Sequence, residues 1–232
     1  MRGGGVGIER DGCWASLVAV PHEAVHALPE GVDSVVGATF FVPWSTAQVA
    51  LFEVGELRSG ERLAVRGATG AVGSLVVQLT LAAGAAEVVA ASRTAERGSS
   101  LPVGATPYRE GDWAVLAEEG GVDLLVDTVG GAALPEALDA VRSGGRAVLV
   151  GYVGGESATL SIPRLLARDV RVLPVNQLRH EAALFAVAPA ALERLACGEL
   201  EVRSTALPLA RLEEALAALR GGGGRVAVTI RG

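Results

Sequence analysis

The stretch from Gly60 to Arg93 limits what this chain can fold into more than any other. Leu63-Ala64-Val65 reads as a short buried strand, Gly67, Gly70 and Gly73 punctuate a turn, Leu75 to Ala83 is an apolar helix, and Glu87 to Ala91 is a second strand. Strand, glycine turn, helix and strand in that order is what a dinucleotide-binding βαβ unit requires. Gly67 and Gly70 let the backbone bend sharply and approach a pyrophosphate. Gly73, already inside the helix, lets the helix pack closely against the strand. Phosphates would then rest on the N–H groups left open at the helix N-terminus.

A glycine turn by itself also occurs in ordinary loops, so the context carries the reading. The end of the second strand refines it. Where a ribose-binding Asp or Glu is expected, roughly 20 residues past the turn, the chain has Ala91-Ser92-Arg93. An Asp there would repel a 2′-phosphate, whereas Ser and Arg donate hydrogen bonds to it, so NADP(H) is expected over NAD(H). The plainer alternative is that Arg93 caps a strand on the surface.

The length of 232 residues allows one large domain or two small ones. Half of the residues are apolar, yet no run reaches the ~18 uninterrupted apolar residues of a membrane span. No apolar signal core follows the N-terminal Met-Arg-Gly-Gly-Gly, so a soluble cytoplasmic protein without a membrane partner is expected. The net charge of −6 is scattered, which gives no basic face for nucleic acid. Every basic side chain other than histidine is Arg, so catalytic Lys and Schiff-base chemistry are excluded. Cys13 and Cys197 are far apart, which excludes a four-cysteine zinc site, and both read as buried or half-buried thiols.

Residues 1 to 42 read as short β segments and turns, with Cys13 to Val20 and Val25 to Leu28 strand-like. Within them His22-Glu23-Ala24-Val25-His26 spells His-Glu-x-x-His, the zinc-protease pattern. That chemistry needs a helix of several turns, and Pro21 and Pro29 bracket the motif, so a turn with two surface histidines is expected. From Asp33 to Val54 the pattern is helical, as two helices joined at Pro43-Trp44-Ser45-Thr46. After the βαβ unit come a short helix over Thr94 to Val103, disturbed by Gly98 and Pro102, and strands at Thr106 to Tyr108, Val122 to Val129, Arg146 to Tyr152 and Val170 to Val175. Helices alternate with them at Trp113 to Glu118, Leu134 to Val141 and Pro163 to Ala167. About six strands alternating with helices predict an α/β fold with a doubly wound parallel Rossmann sheet. Glu181 to Cys197 and Leu212 to Leu219 read as helices, Thr205 to Leu209 and Arg225 to Ile230 as strands that do not extend this sheet. Gly221 to Gly224 is the one linker-like run.

Taken together, Gly67-Ala68-Thr69-Gly70-Ala71-Val72-Gly73, Tyr108-Arg109-Glu110-Gly111-Asp112-Trp113, Asp123 to Gly131, Gly144-Gly145-Arg146 with Val150-Gly151-Tyr152, and Gly224 to Val228 resemble the medium-chain dehydrogenase/reductase superfamily, in its zinc-free quinone oxidoreductase branch. The resemblance implies a Rossmann domain over 43–180 that binds NADPH. Residues 1–42 would be a remnant of a GroES-like β domain, to which 181–232 return. It implies hydride transfer to an enone or quinone, and a homodimer paired through the sixth strand. Residue by residue, it places Thr69, Gly70, Ala71 and Val72 at the pyrophosphate, Ser92 and Arg93 at the 2′-phosphate, and Tyr108 near the adenine. Val129, Gly151 and Tyr152 would line the ribose side, and Thr46 would lie near the nicotinamide. No metal site and no catalytic residue are carried over.

The chain also departs from the family. Met1 falls where family members are already about a third of the way along, so most of the catalytic domain is expected to be missing, and Gln48 stands where relatives often have Tyr. An opened nicotinamide face would lose positioning and shielding. The second reading is therefore a redox-inactive Rossmann protein with a binding, assembly, cyclisation or isomerisation role. Asp127 is expected to anchor a turn, and His180 to lie in a solvated loop. A hydrolase is disfavoured, since no Gly-x-Ser-x-Gly elbow is present.

Overall fold

A computed structural model describes residues 6–7, 9–93, 101–220 and 225–230. The chain divides into two compact units, one of residues 46–176 and one of residues 1–45 with 177–232. Both boundaries lie a few residues inside the sequence-based limits of 43 and 180.

The first unit is built on six parallel strands, β1 (Arg62–Arg66), β2 (Glu87–Ser92), β3 (Thr106–Arg109), β4 (Val122–Asp127), β5 (Val141–Leu149) and β6 (Arg171–Pro174). Their order is β3-β2-β1-β4-β5-β6, so the direction of winding reverses between β1 and β4. Two-sided burial explains the apolar runs of β1, β2 and β4. Leu63, Val65, Val88, Ala90, Leu124 and Val126 are fully buried, and α2 (Ala71–Ala82) buries Leu75, Val76, Val77 and Leu79. Ala64, Val89, Ala91, Leu125 and Ala147 form a second core with Trp113, Leu116, Leu134 and Leu138. Those last four come from α3 (Trp113–Glu118) and α4 (Leu134–Asp139). A fifth helix, α5 (Ile162–Arg168), precedes β6 and has no fully buried residue.

Strand β5 starts five residues earlier than the apolar pattern suggests, at Val141. Val141 pairs with Val122 and the next pair is Leu124 with Arg146, so Arg142 to Gly145 bulge out of the ladder. The bulge places Arg146 at the base of the sheet. Its guanidinium donates to the carbonyls of Gly55 and Glu56 and grips Glu61 with both Nη atoms, at 2.9 and 2.7 Å.

The expected break at Pro43 is absent. α1 (Ser34–Gln48) runs through the proline and continues as a π-helical segment, Val49–Val54. Pro in a helix interior costs about 3 kcal/mol, and burial outweighs it: Phe40, Trp44, Ala47, Val49, Ala50 and Leu51 are all at most 3 % exposed. Asp33 caps the start, its Oδ1 accepting the Val35 N–H at 2.8 Å. The merged helix, Ser34–Val54, is long and apolar enough to cross a bilayer by length and composition, and more than half of it is buried within the protein.

In the second unit the strand expectations for Cys13 to Val20 and Val25 to Leu28 are overturned. Apart from one isolated bridge, Val6 with Arg10, the described residues before α1 pair with no strand. Val25 has extended angles, φ −128° and ψ 135°, but extended backbone without a partner is not sheet. Trp14 and Leu17 are 64 and 84 % exposed. Of the expected β remnant, the described residues show a two-stranded parallel sheet, β7 (Ser204–Pro208) with β8 (Arg225–Thr229). It is accompanied by α6 (Glu181–Ala196) and α7 (Leu212–Arg220). Most of the helix expected over 94–103, and the glycine run 221–224, lie outside the described residues. Cys13 and Cys197, expected to be at least half-buried, are both exposed.

Candidate dinucleotide site

The turn that joins β1 to α2 is held by backbone contacts only glycine allows. Gly67 has φ +78°, and a Cβ there would lie 2.4 Å from Thr128 Oγ1. A Cβ on Gly73 would come within 2.1 Å of the Gly67 carbonyl oxygen, so the first turn of α2 presses on the turn itself rather than only on the strand. Gly70 differs. Its φ of −76° is open to any residue, and its constraint is the Gly67 oxygen, which a Cβ at this position would approach to 3.2 Å. Ala68 donates its N–H to Ala91 O at 3.1 Å, which ties the turn to β2. α2 begins at Ala71 without a side-chain cap, so the N–H groups of its first turn face the turn's concave side without intrahelical partners.

Across the reversal point a second glycine turn meets the first. Gly130 and Gly131 both have positive φ, and a Cβ on Gly151 would lie 2.2 Å from Thr128 O. Asp127, fully buried at the end of β4, accepts the N–H groups of Val129 at 2.7 Å and Gly130 at 3.0 Å. It anchors this turn as its position suggests. Thr128 Oγ1 donates back to Arg66 O at 2.8 Å. The two turns thus pack closely against each other at the carboxyl ends of β1 and β4, beside the crevice in which open α/β sheets bind their ligands.

Of the residues named from the sequence, Thr69, Gly70, Ala71 and Val72 belong to the β1–α2 turn and the start of α2. Ser92 ends β2 and is 6 % exposed, followed by the exposed Arg93. Val129, Gly151 and Tyr152 follow β4 and β5, with Tyr152 70 % exposed. Tyr108 lies on β3, but its hydroxyl is committed, donating to Asp112 O at 2.6 Å, while its ring tilts against Trp113 at 6.1 Å. Burial first, then the nearby charge of Glu119, raises its pKa. All of these lie at strand ends of the same sheet except Thr46, which is a buried residue of α1.

A partly buried ionic trio went unseen in the sequence. Arg66, 3 % exposed at the end of β1, donates through Nε to Glu110 Oε1 at 2.5 Å and through Nη1 to Asp127 Oδ2 at 3.2 Å and Gly130 O at 2.9 Å. Nothing local announces it, because the partners lie 44, 61 and 64 residues away.

The His-Glu-x-x-His stretch forms one 3-10 turn, His22–Ala24, in place of a long helix. His26 is not the surface histidine expected, for its ring stacks on Phe185 at 4.1 Å with Nε2 buried. Among the described residues no three His, Cys, Asp or Glu side chains gather as a metal group would require. His180 closes a short 3-10 turn, Gln177–His180, at the start of α6.

Residues 71–188 match the family model described as zinc-binding dehydrogenase. Over 96 % of its length the chain is similar to the quinone oxidoreductase of Thermus thermophilus, solved also in complex with NADPH. It shares 34 % identity with that enzyme at a TM-score of 0.83, and covers 75 % of it. Among curated proteins it is 28 % identical over 193 residues to the mouse quinone oxidoreductase-like protein 2, matching 78 % of this chain and 54 % of that one. It is 30 % identical over 202 residues to mouse prostaglandin reductase-3, matching 79 % of this chain and 51 % of that one. The chain thus spans about half the length of the curated relatives it matches.

Proposed function

Because the chain belongs to the medium-chain dehydrogenase/reductase superfamily, we propose that it binds NADPH across the carboxyl ends of its sheet and reduces a conjugated carbonyl, a quinone or an enone, without a catalytic zinc. The observation that carries the reading is the pair of glycine turns. Side chains at 67, 73 or 151 would collide with Thr128 or with the Gly67 carbonyl, so only glycine lets the two turns pack this closely, beside an uncapped helix N-terminus suited to a pyrophosphate. Thr69 and the N–H groups of Ala71 and Val72 would hold the phosphates, and Ser92 with Arg93 the 2′-phosphate. When bound, the reduced nicotinamide supplies a hydride, and a proton from solvent completes the reduction of the acceptor. The chain's own part is to bind and orient, since none of its side chains is assigned an acid or base role.

A homodimer through β6 goes with this reading. Among the described residues β6 is the edge of the sheet, bonded to β5 alone, and the neighbouring α5 exposes Ile162 and Leu166 at 62 and 76 %. A cytoplasmic location goes with it as well, because exposed free thiols such as Cys13 and Cys197 persist in reducing compartments.

The test is a titration with NADPH and NADH, followed by fluorescence and thermal stability, and then an assay of NADPH oxidation with 1,4-benzoquinone and a simple enone. Saturable binding with NADPH tighter by about tenfold, ~1.4 kcal/mol, and turnover of an acceptor support the proposal. Binding without turnover favours the redox-inactive reading, with a role in binding, assembly or a non-redox rearrangement. Binding of neither cofactor sinks the reductase reading and leaves a Rossmann scaffold without its cofactor function.

A further inference from the structure

The ionic trio beneath the crevice carries a consequence for which cofactor is preferred. Strand register sets Arg66 beside Ala91, Ala91 beside Tyr108, and Arg66 beside Asp127, so these side chains share one face of the sheet. With only a methyl group at Ala91, the Arg66 side chain reaches past β2 to Glu110, the first residue after β3. Glu110 in turn donates its N–H to Ser92 O at 2.9 Å, which fixes it beside the Ser92-Arg93 corner. The charges do not balance, because one guanidinium serves two carboxylates. Asp127 is fully buried and satisfied through both oxygens, by Arg66 on one and by the Val129 and Gly130 N–H groups on the other. Glu110 engages Arg66 through Oε1, and its side chain is 21 % exposed against 4 % for Arg66 and 0 % for Asp127. Within this trio the surplus negative charge therefore lies at Glu110, the most exposed of the three, next to the exposed Arg109 that pairs with Ser92 across β2 and β3.

We propose that Glu110 is a specificity-determining residue that acts against a 2′-phosphate at Ser92-Arg93, so that the cofactor preference set by Arg93 is held below its full value. This inference rests on the proposed dinucleotide site. A 2′-phosphate brings close to two negative charges, whereas a 2′-hydroxyl brings none and can donate to a carboxylate. Arg66 screens Glu110 in part and keeps the corner open to either cofactor.

The experiment measures dissociation constants for NADPH and NADH with the wild-type chain and with Glu110→Gln, which can keep a hydrogen bond to Arg66 while losing the charge. The expected result is a shift of roughly five- to tenfold in the NADPH:NADH preference toward NADPH, shrinking between low and high salt. Glu118→Gln, a neutralised exposed carboxylate on α3, serves as control and leaves the ratio where it was. An unchanged ratio in Glu110→Gln overturns the proposal even if both cofactors bind. So does an equal weakening of both with a lowered Tm, which would make Glu110 only a support for Arg66. If the wild-type chain binds neither cofactor, the dinucleotide site itself fails and this inference falls with it.

Discussion

Replacing Arg146 by Ala tests how the floor of the sheet is held. The Arg146 side chain is 7 % exposed and that of Glu61 is 16 % exposed. Arg146 satisfies two carbonyls at the end of the π-helical segment, Gly55 and Glu56, as well as both oxygens of Glu61. Truncation strands all of these at once. Removing one partner of a buried pair costs about 3–5 kcal/mol. Glu61 keeps the Arg58 N–H at 2.9 Å and some solvent, which puts the expected loss near the low end, ~3 kcal/mol, or roughly 6–12 °C in Tm for a chain of this size. Glu61→Gln should lose only about 1–1.5 kcal/mol. The Arg146→Met/Glu61→Gln double variant should recover part of the loss, since neither charge is then left alone.

The same pair predicts a pH dependence. Burial alone would raise the Glu61 pKa, but hydrogen bonds from Arg146 and the Arg58 N–H, together with the Arg146 charge, lower it from the ordinary 4.5. A lowered folded-state pKa stabilises fully above the unfolded value and fades as pH falls through the folded one. The stability gap between wild type and Glu61→Gln should therefore be constant near neutrality and shrink below about pH 4.5. Urea unfolding followed by far-UV circular dichroism measures both gaps. A loss under 1 kcal/mol for Arg146→Ala, or a gap that widens in acid, would refute the reasoning.

Gly67→Ala should cost about 2–4 kcal/mol and weaken dinucleotide binding more than tenfold, because its φ of +78° and the 2.4 Å approach to Thr128 Oγ1 act together. Circular dichroism melts and a binding titration check both halves, and an alanine variant that binds normally would mean the turn is not the cradle. Arg93→Ala should lower NADPH affinity about tenfold and leave NADH binding nearly as it was; equal losses would return Arg93 to a surface role. Sedimentation should show a particle near twice the 23.6 kDa chain, and Val172→Pro, which removes a backbone donor from the β6 edge, should shift it to monomer. A monomeric wild type at micromolar concentration would exclude pairing through that strand.

The central strands β1, β2 and β4 were legible because each is a short apolar run closed by glycine or a charged residue. Trp113 to Glu118 is helical over the residues its pattern predicts, and β2 exceeds its predicted run by one residue, Ser92. What failed did so for reasons that local pattern cannot carry. Pro43 is tolerated because α1 is buried on several sides, a tertiary fact. Cys13 to Val20 has strand composition but no partner strand among the described residues. The bulge that starts β5 early depends on register with β4. The glycine turn was readable from its spacing, whereas Arg66 with Glu110 and Arg146 with Glu61 join residues 44 and 85 apart, through side chains that look like ordinary surface charge in sequence.

The strand order also dictates a sequence of events during folding. β1 meets β2 through residues 25 apart, as in the Arg62–Glu87 pair, but meets β4 only across 61, as in Arg66 with Asp127. Closing the longer loop costs about 0.8 kcal/mol more in chain entropy. On the ribosome, at about 5–20 residues per second, β4 arrives several seconds after β1 has emerged. Through that interval one edge of β1, carrying Leu63-Ala64-Val65, has no neighbour. The reversal point that makes the crevice is thus a seam that stays open until β4 has been made, and a nascent chain stalled before Val122 would present an open apolar strand to chaperones and to other copies of itself.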